Sequence, residues 1–222
     1  MIGDSGNALY MFDSKMGEQG GPHTWTFSSE DYPDGHSIQY SLISVPDEFK
    51  DSFPDAGFTK ESVINDEFQL YEFMSLDNSK YDLHGWVGEE WSLNFTPRTF
   101  CQFPLQYEDT WMNEYEQEME LGGGMMMSTR DSVVATVDAF GSITTPEGTY
   151  NCLRIRYDGY LHNKTLDPQG NVMFTTIIPY TEFQWVTKEL GFTAFVSTFP
   201  AECAMGQGYV VRFRSDESIG IE

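Results

Sequence analysis

Basic residues are scarce in this chain: its 222 residues carry 12 Lys and Arg against 35 Asp and Glu, giving a formal net charge of −23 and a sequence pI near 4.2. A surface of that sign repels phosphate backbones and anionic lipid headgroups, which sets nucleic acid and anionic membranes aside as partners. Cysteine is equally thin. Cys101, Cys152 and Cys203 are too far apart for zinc-type spacing, and three thiols cannot all pair within one chain. A disulfide framework is therefore not the basis of the fold. One bridge, Cys152 with Cys203, forms only if their strands are neighbours; otherwise the thiols act as small buried hydrophobes. The four histidines, His23, His36, His84 and His162, show neither H-x-x-H nor H-E-x-x-H spacing, and no serine sits in a G-x-S-x-G elbow. No run approaches the roughly 18 apolar residues of a membrane-spanning helix, so no transmembrane segment is expected. The N-terminus lacks the basic and apolar regions of a signal peptide. Met1-Ile2-Gly3-Asp4 and Ser218-Ile219-Gly220-Ile221-Glu222 read as the limits of a fragment or a processed chain, with any targeting signal or sorting domain lying outside them.

What is present is a sequence 40% hydrophobic and 15% aromatic, ample for a core. The acidity is uneven: residues 1–120 have a net charge of −19 and residues 121–222 one of −4. A single β-rich domain over 1–222 is expected, with an acidic, loop-rich part over 1–100 and a hairpin-rich sheet over 101–222.

The strongest structural signal is Val134 to Tyr157, where two runs rich in β-branched and aromatic residues flank Pro146-Glu147-Gly148 as a β-hairpin. Arg154 and Arg156 alternate there with apolar neighbours, as on a half-buried strand. A second hairpin is expected around Asp167-Pro168-Gln169-Gly170-Asn171, returning over Val172 to Ile178. Ser37–Val45, Phe68–Met74, Tyr81–Val87, Trp91–Phe95, Thr181–Val186, Thr193–Phe199 and Gly208–Arg214 read as further strands. Trp111–Glu120 reads as a strand rather than a helix, because Met112, Tyr115 and Met119 make only a thin helical stripe. Met125-Met126-Met127 on a strand must point to alternate faces, so the three sulfurs cannot converge on a soft metal. Strands every ten or so residues, joined by short turns, predict an all-β, mostly antiparallel fold, either a curved β-sandwich or a half-barrel.

The order of several signals resembles a known group. Trp25-Thr26-Phe27-Ser28, Phe53-Pro54-Asp55-Ala56, Phe103-Pro104-Leu105-Gln106-Tyr107-Glu108-Asp109-Thr110-Trp111, Asp138-Ala139-Phe140-Gly141 leading to Pro146-Glu147-Gly148-Thr149-Tyr150, and Leu153-Arg154-Ile155 are similar to segments of an uncharacterised extracellular module of Bacteroidota secreted proteins. That kind of module often precedes a type IX secretion sorting domain. The likeness is concentrated between residues 103 and 157. Glu108 stands where the pattern has Gly, Ala139 stands within its Asp-Gly pair, and no sorting domain follows Glu222. The resemblance implies an extracellular or outer-membrane location and carries no catalytic residue. A second, weaker likeness is to periplasmic half-barrels of the lipoprotein-carrier type, whose curved sheet wraps an apolar ligand.

Candidate sites are few. Trp86, Trp91 and Trp111 are the tryptophans placed to stack on a ligand, with Trp86 and Trp91 flanking the Gly88-Glu89-Glu90 turn. Asp31, Asp34, Asp77, Asn78 and Asp82 sit in oxygen-rich turns that suit calcium, the one cofactor worth carrying, although no EF-hand spacing is present. Glu89-Glu90 and Glu108-Asp109 are carboxylate pairs, but adjacent strand residues face opposite sides and cannot share a substrate. The functional expectation is a non-catalytic secreted or cell-surface module with a structural or protein-interaction role, meeting a protein or glycan. The alternative is a binding protein for a glycan or apolar ligand on the concave sheet face, and a hydrolase comes third.

Overall fold

A computed structural model describes residues 16–28, 38–64, 68–89, 91–189, 191–199 and 208–213. Twelve strands among them make two sheets, neither closed into a barrel, and the protein is an all-β sandwich. The smaller sheet is an antiparallel meander of β2 (Ile38–Ile43), β3 (Phe58–Ile64), β4 (Phe68–Leu76), β5 (Lys80–Val87) and β6 (Ser92–Gln102). Strands within the stretch expected to be rich in loops thus form a five-stranded sheet of their own, ending at Gln102.

The larger sheet is ordered β1-β8-β9-β10-β11-β12, from β1 (Gly20–Thr26), β8 (Met125–Thr145), β9 (Gly148–Leu166), β10 (Val172–Thr187), β11 (Gly191–Phe199) and β12 (Gly208–Phe213). β7 (Thr110–Gly122) also pairs with β8. β8 is long enough for β7 to run antiparallel to its first half and β1 parallel to its second. In β7, Trp111, Asn113 and Tyr115 are buried while Met112, Glu114 and Glu116 are exposed, the period-two pattern that distinguishes a strand from a helix. The Pro146-Glu147 turn forms with Thr145 opposite Gly148. At the next turn, Asp167 Oδ1 accepts the Gln169 and Asn171 amides at 2.9 and 2.7 Å, and Gly170 adopts φ +83°. Met126 and Met127 pair with opposite-facing positions of β7 and β9, so the methionine run splits between faces as expected.

One difference lies in β10. Two strands were expected across 172–186, broken near Pro179, yet one strand runs from Val172 to Thr187. Proline is tolerated because β11 pairs with β10 only over Thr181–Thr187, so at Pro179 the side away from β9 needs no donor.

Both faces of the larger sheet carry part of the core. One packs on the smaller sheet through Trp111, Val133, Ala135, Ile155 and Tyr157 with Cys101 of β6, and through Tyr115 with Met74 and Leu83. The other gathers Trp25, Phe27, Ile143, Phe183, Trp185 and Val196. Three strand spacings separate β1 from β10, about 14 Å in a flat sheet, yet Trp25 and Trp185 meet edge-on with ring centroids 5.8 Å apart. The sheet is curved around these rings. Trp25 on β1 and Phe27 just beyond it enter this core from the edge of the sheet.

Gly159 of β9 lets Tyr180 cross from β10 to β8: a β-carbon at 159 would overlap the Tyr180 ring. That ring cannot swing aside without breaking its hydroxyl's 2.7 Å bond to the buried Asp131 carboxylate. Gly159→Ala is expected to cost about 1–3 kcal/mol of stability, with a Gly159→Ala/Tyr180→Phe double variant recovering part of it in urea unfolding.

Candidate functional site

Two regions stand out, a polar cluster between the sheets and an open strand edge. In the first, Arg98 on β6 reaches across to Glu182 on β10 at 2.7 Å, both side chains nearly inaccessible. The guanidinium lies against the rings of Phe100, Tyr115 and Tyr157, at 5.2, 6.0 and 5.6 Å from their centroids. Burial works against the Arg98 charge, and Glu182, with Tyr115, Tyr180 and Asp131 around it, more than offsets that effect. Asp131 on β8 has Tyr115 as its neighbour on β7 and accepts the Tyr180 hydroxyl. Burial raises its pKa above the usual carboxylate range, opposed by the Tyr180 hydrogen bond and by Arg98. Tyr157 donates to the Phe100 carbonyl at 2.6 Å, again joining the two sheets. Every member is packed in the interface, so the cluster acts as a latch between sheets.

A second buried ion pair holds the segment at residues 16–18. A β-bulge at Asp138 turns this residue inward, and its two carboxylate oxygens accept Arg154 Nε and Nη2 at 2.8 Å each. The same guanidinium donates to the carbonyls of Met16, Gly17 and Glu18 and packs against Trp25 and Phe183. Arg154, expected on the polar side of a half-buried strand, is 1% exposed because the curved face closes over it. The concave face expected to cradle an apolar ligand is filled here by Trp25, Phe27, Trp185 and Arg154.

The sequence-based candidates do not assemble into one site. Trp111 is a core residue, 7% exposed, because it lies on the face of β7 turned toward the smaller sheet. Its Nε1 donates to the Thr99 carbonyl at 3.1 Å, and its ring meets Tyr157 edge-on. Trp86 is half-buried against the Met74, Leu83 and Tyr115 cluster. Trp91 is 36% exposed and its ring covers Gly88 in the β5–β6 turn. Asp31 and Asp34 lie outside the described residues. Asp77 folds its own turn, accepting the Ser79 and Lys80 amides at 2.6 and 2.9 Å, while Asp82 accepts the Thr99 hydroxyl at 2.7 Å and pairs with Lys80. The cation that Asp77 and Asp82 share is thus the chain's own Lys80 ammonium, whose pKa both carboxylates help to raise. Asn78 is exposed in the same turn, and no cluster of three or more His, Cys, Asp or Glu side chains suited to a metal occurs among the described residues. Cys101 and Cys152 are free and buried, their thiols pushed up to about 12 by desolvation, and Cys203 lies outside the described residues. Glu108 and Asp109 build a turn, with the Glu108 amide on the Val137 carbonyl and Asp109 on the Gln106 amide.

The second region was not anticipated as a site. Over Val172–Pro179 no described strand pairs with β10 on the side away from β9. This edge carries no charged residue, and Val172, Met173, Phe174 and Ile177 are all more than half exposed. On the neighbouring sheet face Ile177 is joined by exposed Tyr160, Val134 and Met112, one each on β9, β8 and β7. Val134 lies directly opposite Met112, and the apolar strip crosses four strands. The signal in the sequence was the charge-free run Val172–Ile178, read there only as a returning strand.

Comparison with known proteins finds no match to a family model, to a curated protein or to a solved structure. Among the described residues no helix is long and apolar enough to cross a membrane.

Proposed function

We propose that this chain is a non-catalytic interaction module that docks a protein partner by strand addition along the open edge of β10. The observation that carries the reading is the pairing-competent backbone of Val172–Pro179, flanked by exposed apolar side chains and free of charge. Folded proteins protect open edges with charges, prolines or short strands, since an apolar edge recruits other chains. β7 follows that rule, with Glu114, Glu116, Glu118 and Glu120 along one face. β10 has only Pro179, at the end of the stretch nearest β11, and Val172–Ile178 carries neither charge nor proline, which suits a docking role. The resemblance to secreted Bacteroidota modules adds an extracellular or outer-membrane setting, where net charge −23 serves solubility.

Selection of extended peptides from a random display library on the immobilised chain tests this. Thr175 shares strand parity with Pro179, so Thr175→Pro removes an N–H on the same side that the native proline already leaves open. Enriched peptides are expected to alternate β-branched residues, to slow amide exchange at 173–178, and to lose at least about tenfold in affinity against Thr175→Pro. Peptides that bind both proteins equally would sink the proposal.

A further inference from the structure

We infer that the strand which pairs with β10 belongs to a cationic partner, its docking segment alternating β-branched residues with lysine or arginine. The inference rests on the strand-addition reading and concerns what the added strand must be. The edge itself is uncharged and selects no sign, so the choice falls to the face beside it. There β7 aligns Glu114, Glu116, Glu118 and Glu120 on one side, two residues apart, which places all four on the same face. Their cross-strand neighbours on β8 are Ser132, Arg130, Ser128 and Met126. Arg130 answers Glu114 at 2.9 Å and Glu116 at 3.8 Å, while Glu118 and Glu120 meet no cation among the described residues. Asp158 adds a further carboxylate on this face, paired to Arg156, and the other bases there among the described residues are His162 and Lys164 on β9, opposite Ile177 and Thr175.

The apolar strip of Met112, Val134, Tyr160 and Ile177 thus runs from the acidic row to the open edge. A partner that covers it meets an apolar band bordered by glutamates, which a surface of apolar residues interleaved with lysine or arginine complements. The whole chain's net charge acts in the same direction over longer range, raising the association rate of cations and lowering that of anions. A second copy of the chain brings the same four glutamates and the same net charge, so it is opposed where a cationic segment is drawn in.

The probes are three eight-residue peptides in which Val-Thr-Val is interleaved with lysine, serine or glutamate, titrated by fluorescence anisotropy at about 20 mM and about 300 mM salt. The lysine peptide is expected to bind about tenfold more tightly than the serine peptide at low salt, the gap narrowing at high salt, with the glutamate peptide weakest. Glu118→Gln/Glu120→Gln should shrink the gap, and Thr175→Pro should weaken every peptide. Ile177→Lys, which alters only an exposed side chain, should weaken the lysine peptide most and covers the case in which the proline variant does not fold. Equal binding of lysine and serine peptides, both lost with Thr175→Pro, overturns the cationic inference and leaves strand addition standing. Binding that ignores Thr175→Pro overturns both. Reversible dimerisation of the chain in sedimentation, with amides 173–178 protected, overturns the cationic partner in favour of a second copy.

Discussion

Asp138→Ala is expected to lower the stability of this protein by about 3–5 kcal/mol, because it strands a guanidinium that the fold has removed from water. Asp138 and Arg154 side chains are each 1% exposed, and the pair is bidentate, so alanine leaves the charge, among the described residues, with only backbone carbonyls and two aromatic faces. The effect reaches beyond the pair. Arg154 is the residue that holds the Met16, Gly17 and Glu18 carbonyls against the curved face, and Trp25 Nε1 bonds the same Met16 carbonyl at 2.8 Å. Limited proteolysis of Asp138→Ala should therefore cut first near residues 16–19, ahead of the sheet. Asp138→Asn keeps an acceptor and should fall between wild type and alanine. Replacing both partners together, Asp138→Leu with Arg154→Met, should recover much of the loss, since an apolar pair avoids the desolvation cost altogether. Denaturant unfolding measures all three, and an alanine variant within about 1 kcal/mol of wild type would show the clamp to be dispensable.

The physical reason for this clamp is invisible along the chain. Hairpins were legible because their signals are local: Pro146-Glu147-Gly148 and Asp167 to Asn171 turn where turn chemistry places them, and β7 alternates with period two. Glu108, in the turn before β7, adopts φ +72°, in the left-handed region that glycine enters at no cost. Arg154 looked like the solvent side of a strand because the alternation rule assumes one wet face, and curvature of the larger sheet removed it. The bulge at Asp138 shifts parity between Val137 and Ala139, burying three consecutive residues in a way no alternation pattern records. Trp111 was read as a surface aromatic for the converse reason. Nothing at positions 91–111 states that a second sheet covers that face of β7.

The open edge of β10 illustrates a different limit. Its residues read correctly as a strand, but whether a strand lies at an edge depends on how far its neighbour extends. β11 stops pairing at Thr181, and only the register reveals that Val172–Pro179 have no second strand partner, beside β9, among the described residues. Sheet-edge function is therefore a property of strand length mismatch, here a 16-residue β10 against a 9-residue β11.

Arg98→Ala should be comparably damaging, about 3–5 kcal/mol, for it removes the one cation, among the described residues, of the buried groups facing one another from β6, β7, β8 and β10. Arg98 and Glu182 are 84 residues apart, and their 2.7 Å contact ties one sheet to the other, so its loss should appear as a weakened interface: a lower near-ultraviolet circular dichroism signal from Trp111 and Tyr157 at denaturant concentrations where strand content persists. The same cluster sets a pH dependence through Asp131. Its folded pKa is raised above the unfolded value by burial, so its contribution to stability is fully present below the ordinary carboxylate range and is lost as pH rises through the folded pKa. Hydrogen-bonded surface carboxylates such as Asp77 and Asp167 have lowered values and act in the opposite sense, which makes the difference between wild type and Asp131→Asn the quantity to follow. Relative to wild type, Asp131→Asn should gain stability from acid toward neutral pH, and because Arg98 opposes the upward shift, Arg98→Ala should move that gain to higher pH. A wild-type-minus-variant difference that stays flat from acid to neutral pH would mean that Asp131 does not titrate within the latch, and the pH dependence of the inter-sheet cluster would then have to come from other groups.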